Sequence, residues 1–464
     1  MSIMKNSILI AMLWGGLTSC FNEYIDKKPD QKLVVPTSLA DFQALLDNVN
    51  SSEMNADPAL GFIAADDFYI TDAGFSSLID IEKNAYTWAD EVYGANAYVD
   101  DWIRPYRQIF CTNVVLEGVE KIKPGESETE MRKAVKGSAL FFRATAYYNL
   151  AQLFRPAYSV GSAADTPGLP LKLESDVNLA PVVSDLQMTY DQIIKDLTEA
   201  AGILPESSHI KSRPDRKAAN AMLARVYLTM GMYELAEQYA GKVLQQYSVL
   251  IDYNTLQTSS TRPFPPSLPG GNPEVLFHSV IASGYPYLRS TLVSVDSSLY
   301  NAYADNDLRR VLFFRSRANG IYTFKGSYSP ALPGNTSSLF SGLSTDEVFL
   351  IRAECRARRG DVPAALEDLN TLLVTRWVTG TYSPYEAGTA KEALDIILLE
   401  RRKQLVGRGF RWSDLRRLNQ SEEYAKEISR TVNGHKIVLA PGDRKYTFPI
   451  PVSELTNGVE QNPR

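Results

Sequence analysis

Two stretches of this chain share a turn. In the first, Ala224-Arg225-Val226-Tyr227-Leu228-Thr229-Met230 runs into Gly231, and Met232-Tyr233-Glu234-Leu235-Ala236 follows. In the second, Ile351 to Arg359 runs into Gly360-Asp361, and Ala364-Ala365 follow. A helix that reverses direction in so few residues needs a backbone position free to turn left-handed, which glycine supplies without a steric penalty. An alanine stands five positions after each glycine, small enough for the partner helix to approach closely. A helical hairpin of this kind cannot bury its apolar faces alone, so a chain that repeats it is constrained to stack helix pairs.

The grammar is that of a tetratricopeptide repeat, and looser copies lie around Trp102 to Phe154 and Leu186 to Met230. Apolar residues recur with helical spacing at Leu39, Phe42, Leu45 and Leu46, where Ser38 and Asp41 form a capping-box-like start. They recur again through Tyr106, Ile109, Asn113 and Leu116, and through Leu140, Phe141, Ala144, Tyr147, Tyr148 and Ala151. The predicted fold is dominated by α-helix, with about four stacked tetratricopeptide-like pairs. Three stretches break the pattern: Ala59 to Asp100, Ser248 to Tyr300 and Ala318 to Thr345, all rich in Gly, Ser, Pro or Asp. They are too long for plain connectors and are expected to form an irregular, long-looped lobe, of the kind that is usually functional or disordered.

The N-terminus reads as an address. Lys5 precedes an apolar run from Ile8 to Leu17, far short of the roughly 20 residues that span a bilayer. Leu17-Thr18-Ser19-Cys20 then matches the cleavage site of a lipoprotein signal peptide, with Cys20 as the lipidated residue. Residues 1–19 are predicted to be removed, and residues 20–36 to form a lipidated tether holding the chain at a membrane face. Residues 37–250 form an N-terminal region with helix hairpins and the aromatic loop 59–100. Residues 251–464 form a C-terminal region, with loops over 251–345 and repeat and motif helices over 346–420.

The chemistry is that of binding. Net charge is -6, which gives no electrostatic footprint for nucleic acid. His209, His278 and His435 are dispersed, and no zinc-protease, nucleophile-elbow or phosphate-loop motif occurs. No catalytic residue, metal ligand or cofactor is expected. Calcium on Asp66 and Asp67 has no supporting motif, and those pairs suit loops or helix caps. Cys111 and Cys355, far apart in sequence, are expected to be unpaired thiols. The chain carries 25 Tyr and 5 Trp. Flat ligand faces stack on such rings, so the loop aromatics Tyr69, Phe75, Tyr93, Tyr98, Tyr285 and Tyr287 are the candidate ligand residues. Trp88 and Trp102 read as core. A repeat scaffold binding only proteins would not need the long aromatic loops, and a glycan hydrolase would need a carboxyl pair across the sugar.

Two further stretches carry a resemblance. One is Glu400-Arg401-Arg402-Lys403-Gln404-Leu405 leading to Gly409-Phe410-Arg411-Trp412-Ser413-Asp414-Leu415-Arg416-Arg417; the other is Phe448-Pro449-Ile450-Pro451 with Glu454 and Gln461-Asn462-Pro463. Together with Pro36-Thr37-Ser38-Leu39, Trp102, Tyr106, Asn113, Arg143-Ala144, Gly168-Leu169-Pro170 and Asp307 with Arg309, they resemble the SusD/RagB family of outer-membrane nutrient-binding lipoproteins. The resemblance implies tetratricopeptide-like pairs supporting a loop-rich lobe, an oligosaccharide ligand (peptides being the known exception), and no catalysis. It also implies a SusC-like TonB-dependent outer-membrane transporter as partner, with the lipid-anchored chain facing the cell surface. The helical face would dock on the transporter and the loops would meet the ligand. Within the first stretch, Arg411 and Asp414 are expected to pair or cap across the turn. Gln404 and Arg408 stand where the family usually has Glu, and Arg155 where it usually has Gly.

Overall fold

The computed structural model describes residues 36–464, apart from 50–52, 124, 282–283, 318–319, 330–338 and 456–458. Cys20 and the expected signal peptide and tether, but for Pro36, lie outside the described residues. The long helices are α1 (Leu39–Leu46), α2 (Asp100–Lys121), α3 (Thr129–Phe154), α4 (Leu186–Ile203), α5 (Arg216–Thr229), α6 (Tyr233–Gln246), α7 (Thr345–Arg358), α8 (Val362–Leu373), α9 (Ala390–Gln404) and α10 (Arg411–Leu418). From α2 to α8 each helix packs on the next in this series, and α9 closes against α7 and α8. This is the helix-dominated fold of stacked pairs expected from the turns.

Both hairpins end their first helix in the same way. Gly231 has φ +73 and Gly360 φ +91. The glycine N–H donates back to Leu228 O in one and Ala357 O in the other, and the following N–H reaches Tyr227 O or Arg356 O at 2.9 and 3.0 Å. These paired bonds satisfy the orphan carbonyls of the helix end. Ala236 and Ala365 are fully buried at the helix contacts. At the N-termini, the side chains of Asp185, Asp215 and Asp361 accept from Met188 N, Ala218 N and Ala364 N. Thr389 and Glu392 form a reciprocal capping box. Helix α1 lies across α2 where Gly118 admits the ring of Phe42; a Cβ there would sit 1.9 Å from Phe42 Cζ.

The loop stretches are not wholly irregular. They hold short strands: β1 (Ala56–Asp57), β2 (Phe68–Ile70), β3 (Val275–Phe277), β4 (Val280–Ile281), β5 (Val293–Val295), β6 (Phe314–Ser316), β7 (Tyr322–Phe324), β8 (Leu339–Phe340) and β9 (Leu343–Ser344). Order β1-β4-β8 makes one sheet, and β2-β5, β3-β9 and β6-β7 are two-stranded. The pairings stitch residues 56–70 to residues 280–295, so the two loop stretches fold as one lobe. A β10–β11 hairpin (Ile428–Val432, His435–Leu439) follows α10.

The Glu400–Arg417 stretch is a buried ion network. Arg309, fully buried, is held by Asp307 at 2.7 Å and Glu400 at 2.6 Å. Arg401 and Arg417 both reach Asp414, at 3.0 and 2.8 Å. The expected Arg411–Asp414 pairing is corrected here: Arg411 reaches across to Asp66 at 2.6 Å. Burial alone would raise the Asp66 carboxyl, but Arg411, Arg402 and Lys426 outweigh it and hold it well below the usual range. Where the family usually has Glu, the neutral Gln404 donates to Asp346 at 2.8 Å, and Arg408 pairs with Asp346 at 2.8 Å. Trp412 is buried against Tyr446 and Phe448, with centroids 4.9 and 5.8 Å away. Cys111 and Cys355 are both unpaired. Among the described residues, no group of three or more His, Cys, Asp or Glu is placed to hold a metal.

Candidate ligand-binding groove

Helix α2 carries Trp102, Tyr106 and Phe110 at intervals of four residues, which places them in one stripe. Trp102 is buried on Phe154, with rings 5.0 Å apart and nearly perpendicular. Tyr106 leans on Trp102, also at 5.0 Å, and Phe110 is 46% exposed. Facing this stripe is the loop Lys172–Pro181, closed at its base by the antiparallel bridge Leu171–Val182. Between them lies a groove of about 610 Å³, bounded at a third side by Glu454 and Val459. That volume falls within the roughly 300–1,000 Å³ of small-molecule sites.

The wall is fixed from beneath. Asn113 Nδ2 donates to Lys172 O and Glu174 O, each at 3.0 Å. Its Oδ1 accepts from Arg143 Nη1 at 3.0 Å, and Arg143 is clamped by both oxygens of Asp196 at 2.7 and 2.8 Å. Glu117 accepts from Ser175 N and Ser175 Oγ at 2.6 and 2.7 Å. Tyr147 Oη bridges Lys172 N and Lys172 O, both at 2.8 Å, and Tyr106 Oη donates to Pro170 O at 3.1 Å. Arg107, Lys172, Glu174, Asp176 and Asn178 line the groove with charged and amide groups. An aromatic floor with polar walls suits a ligand having flat apolar faces and many hydroxyls.

The structure scatters the six candidate aromatics. Tyr98 is 63% exposed and lies two residues before α2 begins. Tyr69 is half-buried on β2, opposite Ser294. Phe75 is half-buried against Tyr86, centroids 5.8 Å apart. Tyr93 is half-buried, and burial pushes its phenol pKa well up. Tyr285 and Tyr287 present no open ring face here. Tyr285 Oη donates to the buried Asp101 at 2.8 Å. Tyr287 is fully buried between Phe62 and Tyr86, its N–H on Glu82 at 2.7 Å. Both are core because their loop folds back onto the start of α2 and the 60–86 helices. Trp88 and Trp102 are buried, as the sequence implied. The groove residues Tyr106 and Phe110 were not among the candidates; their spacing of four reads equally as a core stripe.

Residues 23–228 match a SusD-like family described as starch-binding and associating with the outer membrane, and residues 345–464 match the SusD family, the SusD/RagB group. The chain belongs to the SusD family. SusD-like protein P2 of Formosa agariphila is 28% identical over 167 residues, 35% of this chain and 30% of that protein, so the match spans about a third of that relative's length. Among solved structures, a SusD superfamily protein from Bacteroides thetaiotaomicron superposes with TM-score 0.74 at 24% identity, covering 92% of this chain and 100% of that one. A SusD-like carbohydrate-binding protein from Bacteroides vulgatus gives TM-score 0.69 at 19% identity, covering 91% and 97%. At these identities the structures speak to the SusD fold alone. SusD-family proteins are sugar-binding proteins associated with the outer membrane. Among the described residues of this member, no helix is long and apolar enough to cross a membrane.

Proposed function

We propose that this SusD-family chain is a surface-exposed lipoprotein, anchored through Cys20, that captures an oligosaccharide and delivers it to a SusC-like TonB-dependent transporter in the outer membrane. Residues 1–19 act as its signal peptide and 20–36 as its tether. The observation that carries the reading is the groove over the aromatic stripe of α2, in a chain of a sugar-binding family. The Trp102–Tyr106–Phe110 stripe supplies the stacking surface, and Arg107, Asn178 and Glu174 meet hydroxyls. Tyr98, exposed beside the start of α2, extends the surface; Tyr69, Phe75 and Tyr93 contribute only where their loops present an open face. The protein binds and does not turn its ligand over.

Affinity electrophoresis of the full chain against a panel of polysaccharides tests this. Retardation by at least one, weakened about tenfold or more in Phe110→Ala with melting unchanged, supports the reading. A ligand bound equally well by Phe110→Ala and Tyr98→Ala moves the site elsewhere, and retardation by none removes the glycan.

A further inference from the structure

The chain is acidic as a whole, at net charge -6, but one stretch is not. From Leu308 to Thr345 it carries Arg309, Arg310, Arg315, Arg317 and Lys325 and neither Asp nor Glu. Two of these bases are neutralised: Arg309 is buried between Asp307 and Glu400, and Arg310 pairs with Asp305. The others, Arg315, Arg317 and Lys325, stand on the β6–β7 hairpin or beside it. Among the described residues, none of them has a carboxylate within 4 Å, and neither has Arg289.

The hairpin fixes where these charges sit. Arg315 is exposed on β6, and Arg317 is exposed just beyond it. The Arg317 N–H donates to Ile321 O at 2.7 Å, so the pairing runs on past β6. Residues two apart on a strand share a face and stand about 6–7 Å apart, which sets Arg315 and Arg317 side by side. Opposite Arg315 is Thr323, whose hydroxyl donates to Ser290 O at 2.5 Å and pins the hairpin to the segment that leads into β5. Arg289, exposed, precedes that anchor. Past the second strand, Lys325 Nζ donates to Thr258 O and Ser260 O at 2.7 and 2.9 Å. Burial, and then the Arg315 guanidinium, lower its pKa, and no acid offsets them.

We propose that this face of the hairpin is a contact surface for an anionic polysaccharide, with Arg315, Arg317 and Arg289 meeting sulfate esters or uronate carboxylates along the ligand chain. The proposal rests on the glycan-capture reading and adds the charge of the ligand. Guanidiniums set apart along a strand fit charges repeated along a polymer better than one compact anion. The exposed side chains of Thr258, Ser259 and Thr261, beside Lys325, supply neutral partners for sugar hydroxyls. Ile321, Tyr322 and Phe324 are half-buried rather than exposed, so the hairpin is poorly suited to enter a lipid surface.

Fluorescence anisotropy of the full chain in detergent tests this, with labelled dextran sulfate, polygalacturonate and unmodified dextran as probes. At least one anionic polymer is expected to bind about tenfold or more tighter than dextran, with an affinity that falls as salt rises. Arg315→Gln and Arg317→Gln together should weaken it about fivefold or more with melting unchanged. Lys133→Gln and Lys436→Gln together remove the same charge from exposed positions elsewhere and should leave it unchanged. Preference for dextran sulfate assigns sulfate esters, and preference for polygalacturonate assigns uronates. Equal binding of dextran and both anionic polymers, or equal effects of the two double variants, overturns the surface. Phosphatidylglycerol vesicles bound as tightly as the anionic polymer, and lost in the same Arg315/Arg317 variant, overturn the polysaccharide assignment in favour of a membrane. A neutral polysaccharide held through Phe110, with no preference for charge, overturns this surface and leaves the capture reading standing; binding of no polysaccharide of either kind overturns both.

Discussion

Asn113→Ala should both destabilise the fold and loosen the groove. The side chain is 1% exposed and makes three bonds: to Lys172 O, to Glu174 O and from the Arg143 guanidinium. Two neutral bonds contribute about 1 kcal/mol each, and the one to the charged group about 1.5–3 kcal/mol. Alanine's higher helix propensity returns about 0.5 kcal/mol. The net loss is about 3–4.5 kcal/mol. Unfolding entropy is near 2.1 cal/mol/K per residue, which over residues 39–464 makes roughly 0.9 kcal/mol/K, so melting should fall by about 3–5 °C. Untying the wall also returns conformational freedom to Lys172 and Glu174, which a ligand must then remove. At about 1–2 kcal/mol per ordered residue, affinity should drop tenfold or more. Differential scanning fluorimetry and titration with the retarding polysaccharide measure the two effects on one sample. A lower melting point with unchanged affinity would refute the groove as the ligand site. Unchanged melting would refute the bonding pattern itself.

Gly168→Ala should destabilise by about 1–3 kcal/mol or more through overpacking, because its Cβ would lie 2.0 Å from Asp185 O, a backbone atom that cannot rotate away. Gly241→Ala, inside α6 with nothing within 4 Å of the added carbon, should stabilise by about 0.8–1 kcal/mol; paired thermal melts check both, and the same sign for the two would contradict the packing. Burial alone would raise Asp414, but Arg401 and Arg417 outweigh it and hold it at about 2. Its folded pKa is therefore depressed, so its contribution is full above about pH 4 and is lost as pH falls toward 2, an effect of about 2 kcal/mol. Urea unfolding of Asp414→Asn and the wild type should show a stability gap that narrows by that amount from pH 6 to pH 2, and a constant gap would contradict it. Gly360→Ala should cost about 1–2 kcal/mol, since φ +91 is strained for any side chain, visible as a melting point lower by about 1–2 °C.

The helices were legible because their ends are written locally. Gly231 and Gly360 stop a helix wherever they stand, and Asp185, Asp215 and Thr389 start one from a few residues away. The β10–β11 hairpin had a local signal too, in Asn433-Gly434, whose positive φ values of 49 and 79 suit a two-residue turn. The surrounding helical pattern hid it. The ion network was legible in composition but not in pairing. Arg411 meets Asp66 across 345 residues of sequence, and no spacing rule reaches that far. The burial of two candidate aromatics was illegible for a related reason. Tyr285 looks like a free loop aromatic until its hydroxyl is seen on Asp101, 184 residues away. Conversely, Tyr106 and Phe110 look like core until the Lys172–Pro181 loop is seen to stand off from them and leave a groove. Which face of a helix is covered is decided by what packs on it, and that information is not in the helix.

The most direct test of the central claim is to extract outer membranes gently, capture this chain and identify what is retained. A stoichiometric large β-barrel of the TonB-dependent class, held without crosslinking and accompanied by the lipid on Cys20, is the expected result. Recovery of the chain alone, or with periplasmic proteins, would contradict delivery to a transporter.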